Sequence, residues 1–170
     1  VVHRLSFLIA LTAACGATAP PPSPTPKRAR AEVGDLRAPL PTTPVMTLDR
    51  QTTALGAALH GRPALVNLWA TWCDACKTEL DALDRLHARA KERGGVVVGV
   101  AIGEPRDKVA EFVAARGLHY EQLVDEDFAL ADALGERKVP TTLVVDRTGR
   151  VVFVGGALDE NALAAFRASL

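Results

Sequence analysis

The chain predicts an α/β sandwich in which helices flank a mixed central sheet, and three observations carry that expectation. Residues 96–102, VVVGVAI, form an unbroken apolar run of the kind found in strands buried on both faces. Short apolar runs alternate with segments of helical spacing from residue 65 to residue 134. Near the end, residues 141–145 and 151–154 flank Asp146-Arg147-Thr148-Gly149, which reads as a hairpin and makes part of the sheet antiparallel.

The elements follow in chain order. VVHRLSFLIALTAAC opens with His3 and Arg4 and continues as an apolar run ending in small residues, the layout of an export signal and too short to span a bilayer. A signal peptide is expected over residues 1–14. Ala13-Ala14-Cys15, with Leu11 upstream, resembles a bacterial lipobox, so Cys15 is the expected lipid attachment site; Thr12 stands where leucine is usual. A plain cleaved signal is the alternative. Either way the protein is expected to be exported, and with a lipid anchor it would sit at the periplasmic face of a bacterial membrane. Residues 15–44 hold eight of the eleven prolines and few large apolar side chains, so they read as an extended tether. The folded domain is expected over residues 45–170.

Within it, residues 65–70 read as a strand and 73–93 as a helix stopped by Gly94-Gly95. After the strand at 96–102, Pro105 falls in the first turn of a helix that Val109, Phe112 and Val113 continue and Gly117 ends. A strand at 121–124 and a helix at 126–134 precede the hairpin. Asp159 caps a last helix, with Leu158 and Leu163 placed as a hydrophobic staple and Leu163, Phe166 and Leu170 on one face. The chain carries 20 acidic and 20 basic side chains, which gives no electrostatic reason to expect a nucleic-acid partner.

Chemistry concentrates in NLWATWCDACKTEL, residues 67–80, which holds two of the three cysteines and both tryptophans. Cys73 and Cys76 follow a strand and open a helix whose inward stripe runs through Cys76, Leu80, Leu83, Leu86 and Ala90. Unpaired N–H groups and the positive dipole end at such a helix start stabilise a thiolate at Cys73, lowering its pKa from the ~8.5 of a free thiol. Asp74 opposes this, so only moderate acidity is expected, which suits a reductant. Glu79 lies three residues after Cys76, at or near the buried stripe, where its pKa should rise. There it could accept the proton that Cys76 loses, or it could be a solvated acid at the stripe's edge. Trp69 belongs to the preceding strand and to the core.

Other uses of the cysteine pair fit less well. Haem attachment needs histidine after the second cysteine, where Lys77 stands, and His3, His60, His87 and His119 show no zinc-ligand spacing, so no metal is expected. A peroxide-reducing cysteine would want threonine three residues upstream, and Ala70 is there. A structural disulfide would close a very small loop and add little stability. Thiol-disulfide exchange accounts best for the pair.

The run NLWATWCDACKTEL, then VVVGVAI, LVDEDFALADALG and KVPTTLVVDRTGRVVFVGG, resembles the TlpA/ResA group of membrane-anchored, thioredoxin-like thiol-disulfide oxidoreductases over residues 45–170. The resemblance implies a thioredoxin-like fold with Cys73 as nucleophile, Cys76 as resolving thiol and Glu79 as the acid that follows the pair. It also implies a cis proline at Pro140 in the loop Val139-Pro140-Thr141. Trp72 and that loop are expected to shape a docking surface. No cofactor is expected beyond the redox-active Cys73–Cys76 disulfide of a monomeric enzyme. Its partners would be a disulfide-containing protein, apocytochrome c among the candidates, and an electron donor in the membrane. Ala75 replaces the proline many members carry, which leaves electron flow open and keeps an exported oxidase or isomerase as an alternative. A lipid-anchored module whose thiols hold copper is the non-enzymatic alternative.

Overall fold

In the computed structural model, which describes residues 38–170, three elements precede every one expected from the sequence. They are β1 (Pro44–Thr47), β2 (Thr52–Ala54) and α1 (Leu55–Leu59). The two strands pair antiparallel around a turn in which Arg50 has φ 70°. Strands of four and three residues and a five-residue helix are too short for a hydrophobic period to show. The rest are β3 (Ala64–Trp69), α2 (Asp74–Lys91), β4 (Val96–Ile102), α3 (Arg106–Arg116), β5 (Glu121–Asp125), α4 (Ala129–Leu134), β6 (Thr141–Val145), β7 (Val151–Gly155) and α5 (Glu160–Ser169).

Seven strands form one mixed sheet in the order β2-β1-β5-β4-β3-β6-β7. β3, β4 and β5 run parallel in its centre, while β1, β6 and β7 each run antiparallel to the neighbour nearer the centre. Every residue of β3 and β4 is buried, as the unbroken apolar run of β4 and the run of β3, interrupted only by Asn67, require of strands covered on both faces. The pleat sends Ala64, Val66 and Leu68 toward α1 and α4, and Leu65 and Trp69 toward α2, α3 and α5. Two apolar layers result. The second contains both cysteines of the pair, Leu80 and Leu83 from α2, and Phe166 from α5.

The structure shifts several boundaries. Cys73 caps α2 from outside the helix, which ends at Lys91 instead of residue 93. Pro105 is likewise the cap of α3, with ψ 137°, and not a residue of its first turn. α4 starts at Ala129, three residues later than the apolar spacing suggests, because Phe128 takes φ 64° and the Asp125 carboxylate accepts the N–H groups of Leu130 and Ala131. Asp159 caps α5 by accepting the Ala162 N–H at 2.8 Å.

The segment expected as signal, and Cys15 with most of the tether, lie outside the described residues. Among the described residues, Ala38, Pro39 and Leu40, ahead of Val45, already pair with the hairpin. The Val151 N–H donates to Ala38 O at 3.2 Å, the Leu40 N–H donates to Gly149 O at 3.1 Å, and Pro39 bridges Arg150.

Candidate active site

Four residues separate the end of β3 from the start of α2, and the loop they form crosses the carboxyl end of the central parallel strands, where open α/β sheets place their sites. Cys73 sits at the helix cap and its Sγ accepts the Cys76 N–H at 3.1 Å, which places that sulfur at the positive end of the helix. Cys73 and Cys76 form a disulfide, with S–S 2.07 Å and Cα–Cα 5.3 Å. Cys76 is fully buried, whereas residue Cys73 keeps 7% of its surface exposed. Beside it, Trp72 is 58% exposed and is the one exposed large hydrophobic side chain among the described residues. Trp69, by contrast, is core; its Nε1–H donates to Gln122 Oε1 at 3.0 Å. That glutamine lies across Gly99 of β4, where a Cβ would stand 2.1 Å from its Oε1.

Asp74 pairs with Lys77 at 2.9 Å, and the lysine's hydrogen bond and charge hold the Asp74 carboxyl below its usual value. The negative charge next to Cys73 therefore has a cation one turn on.

The register Leu68↔Thr141 lays the loop before β6 alongside the loop after β3. This brings the second expected group into place. Val139-Pro140 is a cis peptide. Val139 packs against the apolar cluster that holds both cysteines, and Thr141 is buried with its Oγ1–H donating to Lys138 O at 2.8 Å.

Glu79 is buried on α2 one turn beyond Cys76, not solvated at the edge of the stripe. Each carboxylate oxygen accepts one hydrogen bond. Asn67 Nδ2–H donates to Oε1 and the Leu158 N–H donates to Oε2, both at 2.8 Å. The acid thereby joins α2, β3 and the segment leading into α5.

Two groups beside this site had no counterpart in the reading of the sequence. Asn67, fully buried in β3, is one, and the second is Glu104 just after β4. Gly103 turns the chain there with φ 67°, against the Phe128 ring, which would lie 2.0 Å from a Cβ. Glu104 is 2% exposed and accepts the Thr71 N–H and the Thr71 Oγ1–H, each at 2.5 Å, and Lys108 Nζ at 2.6 Å. An acid two residues after a strand buried on both faces was the available signal, since that is the functional end of a parallel strand.

Among the described residues no group of three or more His, Cys, Asp or Glu side chains converges as a metal site. His87 lies half-buried on α2, where burial lowers its pKa and its Nδ1 accepts the Val97 N–H at 3.3 Å.

Residues 36–154, more than two thirds of the chain, match the AhpC/TSA family. The thiol-disulfide oxidoreductase ResA of Halalkalibacterium halodurans is 32% identical over 104 residues, an alignment covering 60% of this chain and 59% of that protein. The chain thus spans about three fifths of that relative's length. The thiol:disulfide interchange protein DsbE of Pseudomonas fluorescens biotype C is 34% identical over 125 residues, covering 72% of this chain and 67% of DsbE. Among solved structures, a DsbF homologue from Corynebacterium diphtheriae superposes with TM-score 0.67 at 28% identity, covering 79% of this chain and 87% of that one. Taken with the mixed sheet and its flanking helices, these matches identify the chain as a member of the AhpC/TSA family with a thioredoxin-like fold.

Proposed function

We propose that this protein is an exported thiol-disulfide oxidoreductase that reduces disulfides in protein substrates by cycling Cys73 and Cys76 between dithiol and disulfide. The observation that carries this reading is the disulfide across the first turn of α2, its outer sulfur beside exposed Trp72 and a buried acid one turn further on. The Cys73 thiolate attacks one sulfur of the substrate disulfide, expelling the other as a thiolate and leaving a mixed disulfide. Cys76 gives its proton to Glu79 and attacks Cys73 Sγ, which releases the second substrate thiolate. Two electrons have then moved to the substrate and Cys73–Cys76 is oxidised. No cofactor enters the cycle.

In this reading Trp72 and the Val139-Pro140-Thr141 loop flank the outer sulfur, and an extended substrate segment lies between an aromatic face and backbone polar groups. Oxidoreductase and interchange names among the relatives support the reaction class. Re-reduction requires a dithiol donor, for which a membrane partner is proposed, and apocytochrome c is a candidate substrate. Direction is read from the midpoint potential of Cys73–Cys76 in dithiol buffers. We expect a value near or below roughly −270 mV, that of thioredoxin; a value of about −120 to −180 mV would make the protein an oxidase or isomerase. The proposed anchor is a lipid on Cys15 at the periplasmic face. Metabolically labelled lipid should stay on the wild-type protein and be lost from Cys15→Ala, and a mature chain starting elsewhere would end that proposal.

A further inference from the structure

We propose that Glu104 is a positioning residue that holds the Trp72–Cys73 loop in the arrangement a disulfide-bearing polypeptide docks against, an inference that rests on the oxidoreductase reading above. Only three residues, Ala70, Thr71 and Trp72, separate the end of β3 from Cys73. Ala70 O accepts the Cys73 N–H at 3.1 Å, which closes the turn but leaves Thr71 to find partners elsewhere. Glu104 supplies both, taking the Thr71 N–H on Oε2 and the Thr71 Oγ1–H on Oε1. The residue between this clamp and the nucleophile is Trp72.

The clamp is strong because it is charged. Burial alone would raise the Glu104 carboxyl pKa, but the hydrogen bonds from Lys108 and Thr71 outweigh it and hold the group below its ordinary value. Three donors converge on two buried oxygens, and Lys108, one turn along α3, carries the compensating charge. Burying a carboxylate is costly unless every lone pair in use is matched, and an apolar pair would cover the same space at less cost. What the carboxylate adds is direction, since it fixes one backbone N–H and one side chain of the residue next to Trp72. Gly103 precedes it with a φ of 67°, a turn that glycine adopts without strain.

The test uses the full-length reduced protein in single-turnover reactions, in which kcat is the limiting rate and KM the probe concentration giving half of it, and two probes. One is a synthetic peptide closed by a Cys-x-x-Cys-His disulfide; the other is dithiobis(nitrobenzoate), which needs no docking surface. In Glu104→Gln the amide cannot accept from all three donors and its own N–H groups face one of them. KM for the peptide should rise about tenfold while kcat and the rate with dithiobis(nitrobenzoate) stay within about twofold. Equal losses with both probes, or an unchanged KM, would overturn the assignment. Thr71→Val, which removes one donor and leaves the carboxylate, guards against a misfolded first variant and should raise KM about threefold; no rise overturns the proposal equally. If the wild type reacts with dithiobis(nitrobenzoate) but not with the peptide, the functional reading fails instead. The loop is then judged by acrylamide quenching, to which exposed Trp72 responds and buried Trp69 does not. Variants that match the wild type in that quenching would overturn the clamp on its own.

Discussion

Cys73→Ser should lose thiol-disulfide exchange by a thousandfold or more, roughly the loss expected when a covalent nucleophile is removed. Of the pair, Cys73 is the residue that keeps exposed surface, and it lies at the helix cap where N–H dipoles favour a thiolate. Cys76 is enclosed and cannot take over the attack. Cys76→Ser should behave differently, forming the mixed disulfide with substrate at a near-normal rate and then stalling there. The two variants should be similarly stable, each within about 2 kcal/mol of the oxidised wild type, because the disulfide closes a very short loop. Stopped-flow reaction with a disulfide peptide, followed by mass spectrometry of trapped adducts, reads both. An adduct on Cys76 in Cys73→Ser, with exchange retained, would reverse the roles.

Glu79→Gln should slow resolution of the mixed disulfide by about 10²-fold at neutral pH, the lower end of what general acid–base catalysis contributes. Formation of the mixed disulfide, measured in a Cys76→Ser background, should be unaffected by the change. The reason is positional: Glu79 follows Cys76 by one turn on the same buried stripe, while Cys73 stands outside the helix. The substitution also has a structural cost. Asn67 and the Leu158 N–H each donate to one carboxylate oxygen, and a glutamine must turn its N–H₂ toward one of them, leaving a buried donor without an acceptor at about 1–3 kcal/mol. Stability and rate therefore both fall, and the pH profile separates them. A resolution step that keeps its wild-type pH dependence would leave Glu79 as a structural bridge alone.

How far the site could be read from the chain depended on sequence distance. Cys73, Cys76 and Glu79 lie within seven consecutive positions, so helical spacing put the acid at or near the stripe of Cys76 but left open whether it was buried there or solvated at the edge. What that acid touches was not legible, because Asn67 reaches it from a strand and the Leu158 N–H from 79 residues away. Glu104 was hidden for the same reason. Its meaning lies in Thr71, 33 residues earlier, which the parallel pairing of β3 with β4 brings beside it. The fold followed a similar rule. β4 announced itself through seven apolar residues, whereas β2 and α1 lack enough length for any period. The late start of α4 turned on the positive φ of Phe128, a conformation no hydrophobic pattern encodes for phenylalanine.

The pairing of Ala38 and Leu40 with Val151 and Gly149 fixes the first described residues on the hairpin of β6 and β7. Gly149 lies in the turn after β6, and the cis Val139-Pro140 peptide lies just before β6, so the two are a strand's length apart, roughly 17 Å at ~3.4 Å per residue. These first described residues thus pair at the end of the sheet opposite the disulfide. Load applied at Ala38 or Leu40 would pass into the hairpin of β6 and β7 and leave the cysteine loop mechanically idle.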